Sequence, residues 1–442
     1  MGILEQVRAV GVAGCGGAGF PTHVKLAAKG VGTLIVNGAE CEPLLRSDRY
    51  LMREQPAGIV SAIAAVKEHL GAARAVIALK ENYTQEIVAL KSAVSALNAP
   101  VELFLLKNFY PAGDEQVQVY EVTGRVVPPG GIPLDVGCVV QNAATMFAIW
   151  QAMQGRPFTQ KYITMTGAVR SPCVIKAPLG TSLAECLELA GGAELADYII
   201  VEGGPVMGKV LNKNEAFISK TTSGFLVLPE HARISHQISI KHMRNRARAA
   251  CIQCSFCTQL CPRWLLGHPI EPHKIMRRTA GMIPLEDLLG DPIIQAAQYC
   301  CECGVCELYA CPMQLTPRKI NALIKQASQE RPANGESNLQ ARDYRDERRI
   351  PSQKIAVRAG VGKYYNTEPK ILIEADPREV SIAIDSHIGA PAEPVVNPGE
   401  RVALGQCIAK TPEGKLGVDY HASIDGIVTS TGESIIIRRE GG

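Results

Sequence analysis

Two cysteine-rich stretches, CIQCSFCTQLCP at residues 251–262 and CCECGVCELYACP at residues 300–312, decide how the middle of this chain folds. Each stretch places three cysteines at three-residue steps and ends in a Cys-Pro pair. Nine of the fifteen cysteines of the chain lie between positions 251 and 311. A secreted disulfide scaffold spreads its cysteines through a much shorter chain, so clustering of this kind indicates metal ligands.

The first run, Cys-x2-Cys-x2-Cys-x3-Cys-Pro, has the spacing of bacterial ferredoxins. Three thiolates on a curling loop can reach three corners of an iron–sulfur cube, and the fourth corner needs a remote cysteine. In ferredoxins with two clusters, the fourth cysteine of each run binds the other cluster. The sequence therefore predicts two [4Fe–4S] clusters. One is held by Cys251, Cys254, Cys257 and Cys311, and the other by Cys300, Cys303, Cys306 and Cys261.

The second run departs from this spacing in two ways. It has one extra residue before Cys311, and an additional cysteine, Cys301, stands beside Cys300. We interpret Cys301 as a bystander. Zinc is the alternative metal, but zinc sites pair two CxxC motifs across a wide gap, a pattern that these triple runs do not follow. The six scattered cysteines are interpreted as small buried apolar residues. They are Cys15, Cys41, Cys138, Cys173, Cys186 and Cys407.

The composition is that of a globular protein with several domains. The 442 residues are 46% hydrophobic and 20% charged, and the net charge is +3. This charge is too small to indicate nucleic acid or an anionic membrane as a partner. The longest weakly charged segment, Gly131 to Gly155, contains Asp135 and does not have the pattern of a membrane span. The N-terminus lacks the basic-then-apolar order of residues that is typical of a signal peptide. We expect a protein of the cytosol or of a compartment within it.

The pattern of strands and helices predicts a chain of modules. An α/β domain with a mainly parallel sheet is expected first, followed by a β-grasp module, a helical two-cluster domain, a linker with connecting strands, and a small β barrel-sandwich module. Their predicted ranges are 1–155, 158–228, 240–330, 331–384 and 385–442.

Two segments of the first domain could bind a nucleotide-like cofactor. The glycine-rich loop GCGGAGFPT, residues 14–22, could cradle a phosphate through its backbone N–H groups, although it follows neither the P-loop nor the Rossmann pattern. The segment VNGAECEP, residues 36–43, follows an apolar strand, and such strand ends are where open α/β sheets place ligands. Taken alone, the second segment could equally be a polar turn.

Together, GCGGAGFPTHVKL and NGAECEP resemble the flavin site of RnfC-type electron-transport subunits. They are more distantly similar to the NADH-oxidising subunit of respiratory complex I. The β-grasp segment, the cysteine runs and the stretch HIGAPAEPVVNPGERVALGQCIA, residues 387–409, also have counterparts in that family. The barrel-like module stands at the N-terminus in RnfC-type subunits and at the C-terminus here. This order resembles the cobalamin reductases of propanediol-utilisation microcompartments.

The resemblance implies that FMN binds at the glycine loop, to Gly14, Gly16, Gly17, Ala18, Gly19 and Lys25. It places Asn37, Glu40 and Glu42 along the flavin or nicotinamide, and Asn142 and Thr145 near the flavin phosphate. Phe20 either stacks on the nicotinamide or packs beneath the loop. The FYPAGDE segment, residues 109–115, matches the later cofactor segment of the family less closely.

The function implied is an NADH-dependent corrinoid reductase that passes electrons from NADH through FMN and two clusters to cobalamin. Its product is cob(II)alamin, and the step to cob(I)alamin stays open. An adenosyltransferase and microcompartment shell proteins are the implied partners, and the microcompartment lumen is the implied location. The alternatives are an RnfC-like component of a membrane redox complex and a scaffold or cobalamin-binding module. The loop GGPVMG, residues 203–208, is either a corrinoid surface or a tight turn, and the first helix is either a targeting peptide or part of the flavin domain.

Overall fold

The computed structural model describes residues 2–440 apart from 213–215, 233, 235–238, 282, 329–334, 336–337 and 370. The beginning of the predicted linker, residues 331–334, therefore lies outside the described residues. In the part that is described, no helix has both the length and the apolar character needed to cross a membrane.

The first module is a four-stranded parallel sheet with strand order β3-β2-β1-β5 and helices on both faces. The strands of this sheet are β1 Thr33–Asn37, β2 Arg74–Lys80, β3 Glu102–Leu106 and β5 Cys138–Asn142, and a further short strand, β4 Phe109–Tyr110, lies outside it. Its helices are α1 Ile3–Ala9, α2 Thr22–Leu26, α3 Ser47–Glu54, α4 Pro56–Leu70, α5 Thr84–Ala96, α6 Glu115–Thr123 and α7 Ala143–Met153, with a 3₁₀ turn at Pro133–Val136. In β1, Leu34 and Val36 face one core and Ile35 faces the other, because side chains alternate along a strand.

The second module is a six-stranded sheet with strand order β12-β7-β6-β10-β8-β9. Its own elements are β6 Gln160–Gly167, β7 Cys173–Pro178, α8 Leu183–Leu189, β8 Tyr198–Glu202, β9 Lys209–Leu211 and β10 Gly224–Pro229. The hairpin of β6 and β7 is antiparallel, and β10 runs parallel to β6. This arrangement, with α8 packed through Leu183 and Cys186, is the β-grasp topology that the sequence predicts.

The cysteine-rich module is built from short helices. They are α9 Ile240–Ala250, α10 Phe256–Gln259, α11 Pro262–Leu265, α12 Pro272–Thr279, α13 Pro292–Gln295 and α14 Pro317–Ala327, with a π-helical turn at Cys306–Ala310. Two 3₁₀ turns, Glu286–Leu288 and Ala296–Tyr299, lie between them. Leu266, just after α11, is buried in the core on the second face of the parallel sheet. The cysteine-rich module therefore rests against the first module.

The segment predicted as a linker is tied to the first and second modules. It contains β11 Ile350–Pro351, α15 Ser352–Arg358 and β12 Leu372–Glu374, with 3₁₀ turns at Asp346–Arg348 and Gly362–Tyr364. Its charged residues are not all solvated, since Arg345 and Arg349 both pair with the largely buried carboxylate of Glu121 at 2.5 and 2.8 Å. Strand β11 pairs with β4, and β12 extends the β-grasp sheet beside β7.

The C-terminal module is a sandwich of two antiparallel sheets, with strand orders β13-β19-β18-β15 and β14-β16-β17. Its strands are β13 Glu379–Ala383, β14 Glu393–Pro394, β15 Arg401–Val402, β16 Cys407–Lys410, β17 Tyr420–His421, β18 Gly426–Ser430 and β19 Ser434–Arg438. The predicted start of this module at residue 385 is thus too late. Strand β13 pairs with β19 and buries Val380 and Ile382 in the same core.

Helix α1 packs inside the first module. Val7 is fully buried, and Ile3 and Leu4 contact the same core. Of the two interpretations of this helix, the structure favours a part of the flavin domain over a free targeting peptide.

Three modules meet at one buried ammonium group. The Lys220 side chain, from the β-grasp module, donates to the carbonyl of Gly11 at 2.7 Å and to that of Asp419 at 2.6 Å. Its nitrogen also lies 4.0 Å from the centre of the Tyr420 ring, a cation–π distance. Burial lowers the pKa of Lys220 to about 7. The segment that leads into the glycine loop is therefore clamped between the second and the last module.

Gly11 gives a test of this junction. Its φ is +68°, and a Cβ atom there would lie 2.1 Å from the carbonyl oxygen of Asp419. We expect Gly11→Ala to lower the free energy of unfolding by at least about 3 kcal/mol, because backbone strain and overlap add. Gly71, at the end of α4, has a φ of +62° and no atom within 4 Å of such a Cβ, so Gly71→Ala should cost only about 1 kcal/mol. Equal losses in denaturant titrations of the two variants would contradict the close approach at Gly11.

Candidate redox site

The glycine loop is closed at its base and open at its tip. The amide of Gly14 donates to the carbonyl of Phe20 at 2.9 Å, and residues 16–18 are exposed. Gly17 has a φ of +98°, and a Cβ there would meet no atom within 4 Å. The amide of Cys15 donates to the Thr145 hydroxyl at 2.9 Å, which fixes the loop against the first turn of α7.

Two asparagines end neighbouring strands beside this loop. Asn37 of β1 and Asn142 of β5 are register partners at the carboxyl edge of the sheet. The Asn142 side-chain oxygen caps α7 by accepting from the amides of Ala144 and Thr145 at 2.8 and 3.2 Å. Its amide nitrogen donates to the buried carboxylate of Asp48 at 2.6 Å. The sequence analysis missed Asp48, because an acidic residue in a first helical turn usually faces solvent.

Asn37 uses its amide to hold other protein groups. Its nitrogen donates to the carbonyl of Gly113 at 2.8 Å, and its oxygen accepts from the side chain of Gln118 at 2.8 Å and from the amide of Ala39 at 3.0 Å. A Cβ at Gly113 would lie 2.3 Å from the carbonyl of Ala39, so only glycine allows this approach. Asn37 therefore positions the FYPAGDE segment at the strand end.

The other predicted residues of this edge have distinct surroundings. Lys25 forms an ion pair with Glu115 at 2.8 Å, and the side chain of Phe20 is half-buried. Burial and the neighbouring charge of Asp48 raise the pKa of Glu40 to about 8. Burial also raises the pKa of Asp48. Two acidic groups that are hard to ionise thus stand next to the open loop.

Glu42 holds the β-grasp loop 203–208. Its two carboxylate oxygens accept from the amides of Val206 at 3.0 Å and Met207 at 2.8 Å. Burial raises the pKa of Glu42 to about 7 despite these two bonds. A Cβ at Gly204 would overlap the Glu42 side chain, so the loop is fitted to this carboxylate. Two backbone amides of loop 203–208 therefore donate to a group inside the protein. The assignment of Glu42 to the cofactor stays a prediction.

A cavity of about 300 Å³ opens at the carboxyl ends of β1 and β2. Its lining is rich in charged and polar side chains and includes Glu40, Arg46, Arg49, Lys80, Tyr83 and Asn108. The Lys80 nitrogen donates to the Ser352 hydroxyl at 3.1 Å, and the Asn108 side-chain oxygen is buried without a partner. The cavity therefore has cationic groups and an unused acceptor to offer to a ligand.

The two cysteine runs share one backbone shape. In the first run, Gln253 and Ser255 flank Cys254 and have φ values of +58° and +60°. In the second run, Glu302 and Gly304 hold the same positions, with φ values of +57° and +75°. Left-handed residues on both sides of a central cysteine curl the chain sharply. The repeat of this conformation at matched positions indicates that both loops wrap similar objects.

The extra residue of the second run is absorbed by a π-helical turn. Residues Cys306–Ala310 form this wider turn, whereas α10 spans the matching part of the first run. A π-helical turn takes one more residue than an α-helical turn, so Cys311 emerges where the shorter spacing places Cys261. The departure from the ferredoxin spacing is thus accommodated locally.

The ligand cysteines fall into the two predicted groups. The first group is Cys251, Cys254, Cys257 and Cys311, and the second group is Cys300, Cys303, Cys306 and Cys261. Cys251, Cys254, Cys257 and Cys311 line one small cavity together. In the second group, burial raises the pKa of Cys306, and nearby charges on Cys300 and Cys261 raise it further. Among the residues described, no three His, Cys, Asp or Glu side chains converge on one point as ligands of a single ion.

Backbone amides point at the sulfur atoms of both groups. The amide of Glu302 lies 3.3 Å from the Cys300 sulfur, and the amide of Leu315 lies 3.3 Å from that of Cys311. Such N–H···S contacts stabilise the thiolate form that an iron–sulfur cluster requires. The donor set of four soft thiols, curled loops and amide donors fits a [4Fe–4S] cluster in each group.

The carboxyl edge of the parallel sheet beside the glycine loop, at Asn37 and Asn142, is called the flavin edge below, and Tyr110 connects it with the second cysteine group. Its buried hydroxyl donates to the carbonyl of Cys303 at 2.6 Å. Tyr110 precedes Gly113 in the FYPAGDE segment, and Gly113 in turn contacts Asn37 and the Cys41 sulfur. The side chain of Arg263, two residues after Cys261, makes a bidentate pair with Asp114 at 2.6 and 2.9 Å. The open loop, the strand ends and the second cysteine group therefore form one continuous site.

The surroundings of the glycine loop fit FMN. The exposed glycines leave room for a flat ring system, and the N-terminus of α7 favours a phosphate group beside Thr145. The paired acids Glu40 and Asp48 supply hydrogen-bonding groups for a polyhydroxylated chain.

Four modules of the chain each match a known protein-domain family. Residues 7–151 match the Nuo51 FMN-binding domain, residues 162–210 the SLBB domain, residues 250–316 the 4Fe-4S dicluster domain, and residues 356–441 the RnfC barrel sandwich hybrid domain. Over 442 aligned residues the chain is 39% identical to "Cobalamin reductase PduS" of Citrobacter freundii, covering 99% of this chain and 96% of that protein. This chain belongs to the PduS cobalamin reductase family. The predicted fold class and the predicted FMN and [4Fe–4S] cofactors are confirmed.

More distant similarities extend beyond the PduS family. The chain is 34% identical over 268 residues to a component of the proton-translocating ferredoxin:NAD(+) oxidoreductase complex of Clostridium ljungdahlii, and the alignment covers 60% of this chain and 56% of that protein. Among solved structures, the NAD+-reducing [NiFe]-hydrogenase in the H2-reduced state aligns with a TM-score of 0.48 and 21% identity, over 74% of this chain and 62% of that one.

The assignment of cluster ligands in this PduS-family chain can be tested within the second run. We expect Cys306→Ala to lose one cluster, and thus to fall from about eight to about four iron atoms per chain. Cys301→Ala should keep about eight, because the predicted ligand set does not use Cys301. Iron and acid-labile sulfide of anaerobically purified protein give the answer. If Cys301→Ala lost as much iron as Cys306→Ala, Cys301 would be a cluster ligand or a necessary support of one, and not a bystander.

The role of Tyr110 predicts a kinetic defect. Tyr110→Phe removes the hydrogen bond to Cys303 and leaves a buried carbonyl unpaired, which should cost about 1–3 kcal/mol of stability. We expect flavin content to be kept and the reduction of the clusters, followed anaerobically by stopped-flow absorbance, to slow. Tyr420→Phe, in the C-terminal module, is the matched control and should leave this rate unchanged. Equal rates for wild type and Tyr110→Phe would show that the contact only supports the fold.

Proposed function

We propose that the chain is an NADH-dependent corrinoid reductase. One NADH and two cob(III)alamin give one NAD+, one proton and two cob(II)alamin, so each corrinoid takes one of the two electrons. Reaching cob(I)alamin needs a second electron at a much lower potential. The observation that carries the proposal is the likeness to a cobalamin reductase along all four modules of the chain.

The chain's own residues would serve this reaction by holding groups in place. Bound FMN converts a hydride into single electrons, and the clusters carry these one at a time. The proposed ligands of FMN are the glycine loop residues with Asn142 and Thr145. Those of the clusters are the two groups of four cysteines. Tyr110 and Arg263 keep the flavin edge and the second group at a fixed separation, which electron transfer requires.

The cavity at the ends of β1 and β2 is the proposed site for NADH. Arg46, Arg49 and Lys80 line it, and these cations suit the pyrophosphate of a dinucleotide. Arg49 is held by ion pairs with Glu86 at 3.0 Å and Glu368 at 2.5 Å, so its guanidinium has a fixed position. Glu368 belongs to the connecting segment, which therefore forms one wall of the cavity.

The cellular setting is proposed from the same family. Cobalamin reductases of propanediol utilisation point to a microcompartment lumen as the location. An adenosyltransferase that consumes reduced cobalamin and the shell proteins are the proposed partners.

The competing function is electron transfer within a membrane redox complex, which the similarity to the Clostridium ljungdahlii protein favours. The two functions differ in whether the isolated chain turns over. We expect the anaerobically purified protein, reconstituted with FMN, iron and sulfide, to oxidise NADH with hydroxocobalamin as sole acceptor and to form two cob(II)alamin per NADH. Cys306→Ala is the control, and it should keep NADH oxidation with ferricyanide but lose most corrinoid reduction. Turnover with ferricyanide and none with hydroxocobalamin in the wild type would favour the redox-complex role.

A further inference from the structure

An open groove of about 650 Å³ lies between the cysteine-rich module and helix α15. One wall comes from the cysteine runs, with Phe256, Leu260, Tyr309 and Pro312. The other wall comes from the exposed face of α15, whose opposite face buries Ile355 and Ala356 in the core around Tyr110. Phe256 is 46% exposed and Val357 is 60% exposed, so the groove presents apolar surface to solvent.

The groove touches the cluster-binding loops at several points. Phe256 precedes Cys257, Leu260 precedes Cys261, and Pro312 follows Cys311. Pro312 also lines the small cavity that gathers the first cysteine group. An occupant of the groove would therefore lie one residue away from cluster ligands.

The groove, the two cysteine groups and the flavin edge are neighbours in the structure. The second group meets that edge through the bond between Tyr110 and Cys303. Helix α10, which carries Cys257 of the first group, packs against the π-helical turn Cys306–Ala310, so the two groups adjoin. The first group in turn shares Pro312 with the groove. Leu260, which lines the groove, directly precedes Cys261 of the second group, so the groove borders both cysteine groups.

The polar side chains of the groove are cations and an amide. They are Arg348, Lys354, Arg358 and Gln353, and none of the described residues that line the groove is acidic. Arg348 is oriented by donation to the Gln259 side chain at 3.1 Å, and the guanidinium of Arg358 lies 5.9 Å from the centre of the Tyr309 ring. The groove therefore combines an apolar and aromatic floor with a positive rim.

We infer that this groove is where the corrinoid docks to receive its electron, an inference that rests on the proposed function. A corrinoid is a broad macrocycle with apolar ring faces and amide side chains around its edge, and the nucleotide loop of a cobalamin carries a phosphodiester. The macrocycle matches the floor of Phe256, Tyr309 and Val357, and the phosphodiester matches the positive rim. In the β-grasp loop 203–208, the amides of residues 206 and 207 donate to Glu42, and Val206 lies beside Gly304 of the second run, so these groups are engaged inside the protein.

Binding to the reconstituted protein tests the groove directly. The probes are cyanocobalamin and dicyanocobinamide, both neutral overall, of which only the first has the phosphodiester and nucleotide. We expect Val357→Asp to raise the Kd of both probes about tenfold, because it places a charge on the apolar floor. Lys354→Glu should raise the Kd of cyanocobalamin about fivefold and that of dicyanocobinamide less than about twofold. The KM for hydroxocobalamin should rise in parallel, with ferricyanide turnover unchanged.

Matched controls lie on α5 in the first module. Val88 is 69% exposed on that helix, and Lys91 is also exposed. Val88→Asp and Lys91→Glu make the same chemical changes on an exposed helix outside the groove, and both should leave the Kd of each probe unchanged.

The outcomes separate the groove from the proposed function. If the wild type binds and reduces corrinoid but the groove variants keep the wild-type Kd and KM, the docking site is wrong and the function stands. A groove that serves an acidic protein acceptor would give this same result. If the wild type oxidises NADH with ferricyanide but neither binds nor reduces a corrinoid, both the function and the docking site are wrong.

Discussion

The hydrogen bond from the Tyr110 hydroxyl to the Cys303 carbonyl joins two parts of the molecule that must stay at a fixed distance. Electron transfer between cofactors depends steeply on their separation, so a flexible joint would make the rate depend on chance encounters. The FYPAGDE segment prevents this, because its glycine packs against β1 while its tyrosine reaches the second cysteine run. The bidentate pair of Arg263 and Asp114 gives this contact a second fixed point.

Buried charged side chains also fix how the modules are oriented relative to one another. Arg345 and Arg349 converge on Glu121, and these pairs hold the connecting segment against α6. Buried ion pairs add little net stability, since desolvation offsets their attraction, but they penalise every arrangement that separates them. Lys220 acts in a related way at the other end of the molecule, where two carbonyls from different modules share one ammonium group. The modules are thus fixed by polar contacts that only one packing can satisfy.

Several residues predicted from the sequence to bind the cofactor also hold other protein groups in place. Asn37 and Glu42 stand at the predicted strand end, yet their polar atoms hold Gly113 and loop 203–208. Lys25 pairs with Glu115. A motif cannot separate such positioning contacts from ligand binding, because the same amide or carboxylate serves either purpose, and the assignment of these residues to the cofactor stays a prediction. Asp48, which completes the polar edge, gave no sequence signal at all.

The sequence by itself determined the features that depend on neighbours along the chain. Cysteine spacing, the glycine loop and the alternation of apolar strands with helices are short-range patterns, and local geometry allows few structures for each. Only the tertiary structure decided which modules touch. It made the supposed linker a wall of the site and added β13 to the last module. These contacts join residues far apart along the chain, and they follow from packing and charge pairing in three dimensions, which no local pattern encodes.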